Sequence, residues 1–270
     1  MTKWAGAILA LAAVMFAAPL GAQEQSRESM AVDATASQWS YQFAYEGFFD
    51  YRTDLVNGVP RPEGDKGFLQ FRLVAPIAKS EKMPITLLPR LTARVIHNKD
   101  DDFGFGSSDL FILGILQEWA TGRWGLGPQI NFPAQENFGS KKWALGLAGA
   151  VTERKLDDRI FLAFLVQQTW RKNANDETKA QPLTMTPVFV YQLGGGAYIG
   201  NGDMNISYNY QNGSWLVPVN VRLGKAFVGP TTTWNAYVEY GTSVVYEDWQ
   251  APVPTHLVRV NVQFQIPVGL

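Results

Sequence analysis

Trp39-Ser40-Tyr41-Gln42-Phe43-Ala44-Tyr45-Glu46 carries an aromatic ring at every odd position and a small or polar side chain at every even one. Successive side chains on a strand point to opposite faces, so this stretch reads as a strand with one aromatic side and one polar side. The alternation returns in Leu69-Gln70-Phe71-Arg72-Leu73 and again in 87–95, where Arg90, Thr92 and Arg94 share a face. A sandwich core could hide one such aromatic face. Its recurrence down a chain that opens on a secretory signal predicts an all-β fold, a transmembrane antiparallel β-barrel.

That signal is the first segment. In residues 1–22 Lys3 supplies the charged start, Ala5 to Ala18 an apolar run, and Pro19-Leu20-Gly21-Ala22 a small-residue end, which together read as a cleaved signal peptide. Residues 23–37 read as a periplasmic lead-in and 38–270 as the barrel. After the signal, no stretch reaches the roughly 20 apolar residues of a helical span. Hydrophobic residues make up 46% of the chain while its mean hydropathy is only −0.10, as interleaving rather than clustering requires. The absence of cysteine leaves no disulfide framework. A net charge of −1 gives no argument for a nucleic-acid partner, and 17% charged residues suit a surface largely in lipid.

Further alternating runs fall at 110–119, 124–132, 143–152, 160–170, 183–193, 197–210, 215–227, 233–246 and 256–268. With the first three they make about twelve strands, an even number as single-chain bacterial barrels require. Segments at 52–67, 98–108, 133–142, 171–182, the short 211–214 and 247–254 read as external loops; tighter turns such as 120–123 and Gly194-Gly195-Gly196 alternate with them. Trp39, Trp119, Trp124, Trp143, Trp170, Trp215 and Trp234 stand at or near strand ends, where the aromatic girdles of a membrane barrel sit. Pro89, Pro128, Pro187 and Pro218 interrupt ladder donors and mark bulges or gaps in the wall.

Two segments carry a family likeness. Residues 108–146, with Ser108-Asp109-Leu110, Trp124-Gly125-Leu126-Gly127-Pro128, Phe132-Pro133 and Gly139-Ser140-Lys141-Lys142-Trp143-Ala144-Leu145-Gly146, resemble the bacterial MetA-pathway of phenol degradation family, also called neuromedin U-like or transporter-like proteins. Tyr208-Asn209-Tyr210, Trp215-Leu216-Val217-Pro218-Val219-Asn220, Arg259 and Gln263-Phe264-Gln265-Ile266-Pro267 are similar too. The chain departs from the pattern at Leu147-Ala148-Gly149, where relatives commonly have Gly-Pro. The resemblance implies an outer-membrane β-barrel, inserted by the barrel-assembly machinery, that passes or binds small and often hydrophobic compounds.

Chemistry-bearing motifs are sparse. The two histidines, His97 and His256, cannot make a zinc site without cysteine, so no metal and no cofactor are expected. Asp100-Asp101-Asp102 beside His97 reads as a solvated loop tip, lacking the spacing of a calcium loop. No Gly-x-Ser-x-Gly signature occurs, and the glycine clusters lack the Lys-Ser/Thr of a phosphate loop. By strand parity Glu46, Gln70, Arg72, Arg90, Arg94, Gln129, Asn131, Asn220, Arg222, Asn235, Glu239 and Arg259 point inward. In a dry core such a set would be costly, so they form either a network that plugs the interior or the lining of a polar path. The expectation is a non-enzymatic channel or facilitator in the outer membrane, with membrane lipid outside and a small-molecule solute inside. The alternatives are a lipid-modifying barrel enzyme, which needs a serine or aspartate beside a histidine, and a plugged binding barrel.

Overall fold

A computed structural model describes residues 26–33, 35, 36, 38–173 and 175–267; the expected signal peptide at 1–22 lies outside them. One short helix, α1 (Arg27–Met30), precedes the sheet, with Ser26 as its cap: the Ser29 amide donates to the Ser26 hydroxyl. Then come β1 (Gln38–Tyr51), the loop hairpin β2 (Leu55–Val56) and β3 (Val59–Pro60), β4 (Gly67–Val74), β5 (Leu87–His97), β6 (Phe103–Phe105), β7 (Asp109–Trp119), β8 (Gly122–Asn131) and β9 (Ala144–Lys155). The rest are β10 (Ile160–Lys172), β11 (Thr178–Ala180), β12 (Leu183–Gly194), β13 (Ala197–Gly200), β14 (Ile206–Asn209), β15 (Ser214–Val228), β16 (Thr233–Val245) and β17 (Pro254–Pro267).

Neighbours in sequence pair antiparallel all the way round, and β1 pairs with β17 from Gln38↔Pro267 to Tyr51↔Pro254, closing an antiparallel barrel of 12 strands. Closure leaves no exposed sheet edge. β13 and β14 together make one of the 12: both lie between β12 and β15, and the chain leaves the wall between them. The run 197–210, expected as one strand, is therefore broken at 201–205.

The partition of side chains is the reverse of that in a water-soluble sheet protein. Inward positions of β1 are Gln38, Ser40, Gln42 and Ala44, all buried, while Trp39, Phe43 and Tyr45 are exposed. Leu69, Leu145, Leu147, Leu223, Val238 and Val260 are about half exposed on the same outer surface. Aromatic pairs bind neighbouring strands there: Tyr41 stacks on Phe264 with centroids 4.8 Å apart, and Phe43 meets Phe71 at 5.2 Å. Such pairs add about 0.5–1.5 kcal/mol beyond area. An apolar surface this continuous belongs against hydrocarbon rather than water.

The two ends differ. Connections at 120–121, 156–159, 195–196 and 229–232 are tight, whereas 52–66, 98–108, 132–143, 173–182 and 246–253 are long and gather at the opposite end. The exception is 75–86, where bridges Ile77↔Leu87 and Ser80↔Met83 prolong the β4–β5 hairpin beyond the short-turn end. Trp39, Trp119, Trp124 and Trp234 sit at the short-turn end and Trp143, Trp170 and Trp215 at the long-loop end.

Two long loops are tied by charge. Lys66 donates to Asp101, and His97 Nε2 lies 3.1 Å from the same carboxylate. The Lys66 hydrogen bond, then that of His97, holds the Asp101 carboxyl below the usual aspartate range. A depressed folded value means that the tie is at full strength above the ordinary aspartate range and is lost as pH falls through the lowered one. The amide protection factors of 98–102, taken relative to the intrinsic exchange rate at each pH, are expected to stay constant from pH 7 to 5 and to fall only in stronger acid. Loosening already at pH 6 would mean that the Asp101 carboxylate is not what ties the loops.

Candidate functional site

Register builds a charged row across four adjacent strands. Glu46 on β1 lies opposite Arg259 on β17, Arg259 opposite Glu239 on β16, and Glu239 opposite Arg222 on β15. Alternating signs at directly opposed inward positions make each pair a cross-strand contact. Arg259 Nη1 donates to Glu46 at 2.8 Å, and Arg222 Nε and Nη2 donate to Glu239 at 3.2 and 3.0 Å. Glu239 also accepts from Asn220 Nδ2, and it is 1% exposed.

The break between β13 and β14 feeds this row. Residues 201–205, Asn-Gly-Asp-Met-Asn, turn inward, and Asp203 ends 3.0 Å from Arg222, 3.3 Å from Arg72 on the facing β4, and 3.5 Å from Arg259. Gly202 permits the turn, because a Cβ there would lie 1.7 Å from the Glu239 carboxyl carbon. Asn201 patches the hole left behind: its Oδ1 accepts from the Phe189 amide (2.6 Å) and its Nδ2 donates to the Pro187 carbonyl (2.8 Å), standing in for a missing strand residue. Pro218 on the other flank falls at a register shift, Val217/Pro218.

A second insertion closes the short-turn end. Asn235 Nδ2 and Gln265 Nε2, both inward-facing, donate to the Ala31 carbonyl at 3.0 and 3.1 Å. Val32 packs on Phe161, Val190, Tyr198 and Tyr237. On the far wall Arg123 donates to the Thr35 carbonyl (3.0 Å) and to Asp33 (3.2 Å). The described residues of the segment expected as a periplasmic lead-in thus cross the lumen from β16 and β17 to β8.

Above it lies a cavity of about 400 Å³ with Ala31, Val32 and Thr35 as its floor. Its lining mixes apolar side chains, Leu88, Phe111, Leu113, Ala150, Phe161 and Leu165, with four guanidiniums, Arg72, Arg90, Arg94 and Arg222, and two carboxylates, Asp109 and Asp203. Arg94 lies 3.4 Å from Asp109. The Arg90 guanidinium lies over the Phe111 ring, 4.1 Å from its centroid.

Of the lumen candidates, Glu46, Arg222, Glu239 and Arg259 meet in the charged row, Arg72 joins them through Asp203, and Arg90 and Arg94 stand apart on the cavity wall. Asp203, Asp109 and Phe111 escaped the sequence reading. Glycine, asparagine and aspartate crowded into 201–205 were the available signal, since these are poor strand formers. Among the interface aromatics Trp39, Trp124, Trp143, Trp170 and Trp234 are exposed. Trp215 is half-buried against Tyr208 (4.7 Å), and Trp119 turns its indole N–H to buried Glu153 at 2.7 Å. The histidines are far from this interior: His97 bonds Asp101 in a loop, and His256 Nδ1 pairs with the Tyr240 hydroxyl at 2.7 Å. Among the described residues no group of three or more His, Cys, Asp or Glu gathers as a metal site.

No family model matches the chain, and no curated protein does. Among solved structures it is similar to the COG4313 outer membrane channel from Pseudomonas putida F1, at 13% identity and TM-score 0.59, over 90% of this chain and 99% of that one. It is also similar to outer membrane phospholipase A from Escherichia coli, at 13% identity and TM-score 0.41, over 90% and 98% of the two chains. At such identity the first likeness is one of fold, a barrel of the outer-membrane kind, and the second score is too low to carry weight.

Proposed function

We propose that this chain is an outer-membrane barrel through which small molecules, hydrophobic or aromatic ones included, pass without energy input. The carrying observation is a cavity of about 400 Å³ inside a wall that is apolar outside and polar within. A bilayer tolerates backbone that is hydrogen-bonded all round and apolar toward lipid, which a closed barrel provides. An interior that keeps open space among charged groups is suited to solute from water. The likeness in fold to the Pseudomonas putida F1 channel supports the same reading. Short turns then face the periplasm and long loops the outside. Residues 1–22 direct export, the barrel-assembly machinery inserts the chain, and it sits with the MetA-pathway of phenol degradation family.

Planar-bilayer conductance of the refolded barrel tests this. Steady, small channels with anion preference are expected, because guanidiniums outnumber carboxylates on the cavity wall. The preference falls in Arg90→Ala/Arg94→Ala. A silent membrane containing verified folded barrel refutes passage and favours the second reading, a plugged binding barrel, to which the crossing segment and the Asp203 bridge lend support.

A further inference from the structure

We propose that the cavity is a binding site for a small amphipathic monocarboxylate, with Arg90 as its anion partner and the Leu88, Phe111, Phe161 and Leu165 wall as the seat of its hydrocarbon body. Matching of charges singles out Arg90. Asp109 is taken by Arg94, and Asp203 by Arg72 and Arg222. Arg90 makes no ion pair and no hydrogen bond among the described residues; its Nε is buried without a partner, and its guanidinium lies over the Phe111 ring. A buried cation without an anion is costly, and the cost is removed when an anion arrives.

A second donor on the cavity lining, Arg72 Nε, is also buried without an acceptor, on the strand adjacent to β5. A carboxylate brings acceptor-only oxygens in the planar geometry that a guanidinium fork takes up. The single unmatched charge calls for a monoanion rather than a dianion. The apolar part of the lining has no use for an inorganic anion, because burial of hydrocarbon is what such side chains reward. A volume of about 400 Å³ lies within the range of small-ligand pockets, well short of a two-chain lipid.

The inference rests on the reading of the lumen as accessible to solutes, but it is tested without a membrane to cross. The refolded full chain in amphipol is titrated calorimetrically with hexanoate, hexan-1-ol, hexylammonium and inorganic phosphate, against empty amphipol. Hexanoate is expected to bind once, at least tenfold tighter than the alcohol, with the amine and phosphate silent. Arg90→Gln should weaken hexanoate at least tenfold and leave the alcohol unchanged. Phe111→Leu, which keeps the charge, should weaken both; heat-modified gel mobility verifies each fold. No saturable hexanoate binding, equal binding of acid and alcohol, phosphate binding as well as hexanoate, or an Arg90→Gln barrel that binds like the parent would each overturn the proposal. Because passage is read separately as conductance, a barrel that binds but does not conduct refutes only the channel.

Discussion

A barrel that begins at Gln38 should conduct several times more current than the full chain, roughly threefold or more, because conduction is set by the narrowest point of the path. The described residues among 26–36 are that obstruction at the short-turn end. They are held by the inner wall on opposite sides, through Asn235 and Gln265 on one and Arg123 on the other, and their Ala31, Asp33 and Ala36 are almost fully buried. Removing them takes the floor from the cavity but leaves every strand pair in place, since the β1 pairing with β17 starts at Gln38 itself. A full-length Arg123→Gln variant cuts only the far tether, and should flicker between the two conductance levels rather than sit at the higher one. Unchanged current in the shortened barrel would mean that the constriction lies elsewhere, and the Asp203 bridge across to Arg72 would be the next place to cut.

What the chain discloses about itself follows from how local each feature is. Alternation is a property of adjacent residues, so the aromatic outside of Trp39–Tyr45 and the inward set from Glu46 to Arg259 could be read without knowing any pairing. The charged row needed one thing more, register, but the hairpin order of strands allows little choice once parity is known. The inward turn at 201–205 was hidden because Tyr198, Ile199, Ile206 and Tyr208 alternate well enough on either side to suggest one continuous strand. Asp109 fell at the edge of a strand expected to open at Leu110, so its place facing Arg94 was lost by a single residue. The docking of 26–36 had no local signature at all. Its partners Arg123, Asn235 and Gln265 are remote in sequence, and they are supplied only by closure of the barrel.

Replacing Arg259 with methionine should be the most damaging single change in the interior, lowering stability by about 3 kcal/mol, as expected when one partner of a buried charge pair is removed. Arg259 is 2% exposed and stands between Glu46 and Glu239 in register, with Asp203 3.5 Å away. Asp203 retains Arg72 and Arg222, and Glu239 retains Arg222, so the charge left without a partner is that of Glu46. A double variant, Arg259→Met with Glu46→Leu, removes both ends of the 2.8 Å pair and should recover at least half the loss. Urea unfolding in vesicles reads both as shifts in midpoint at constant slope. If Arg259→Met instead lies within about 0.5 kcal/mol of the parent, as for ion pairs exposed to water, this wall is hydrated and the solute path runs along it. A large loss with recovery places the charged row in a dry, hydrogen-bonded network on β1 and β15–β17. The wetted path is then confined to the opposite wall, β4 to β10, where Arg90 and the apolar seat face the cavity.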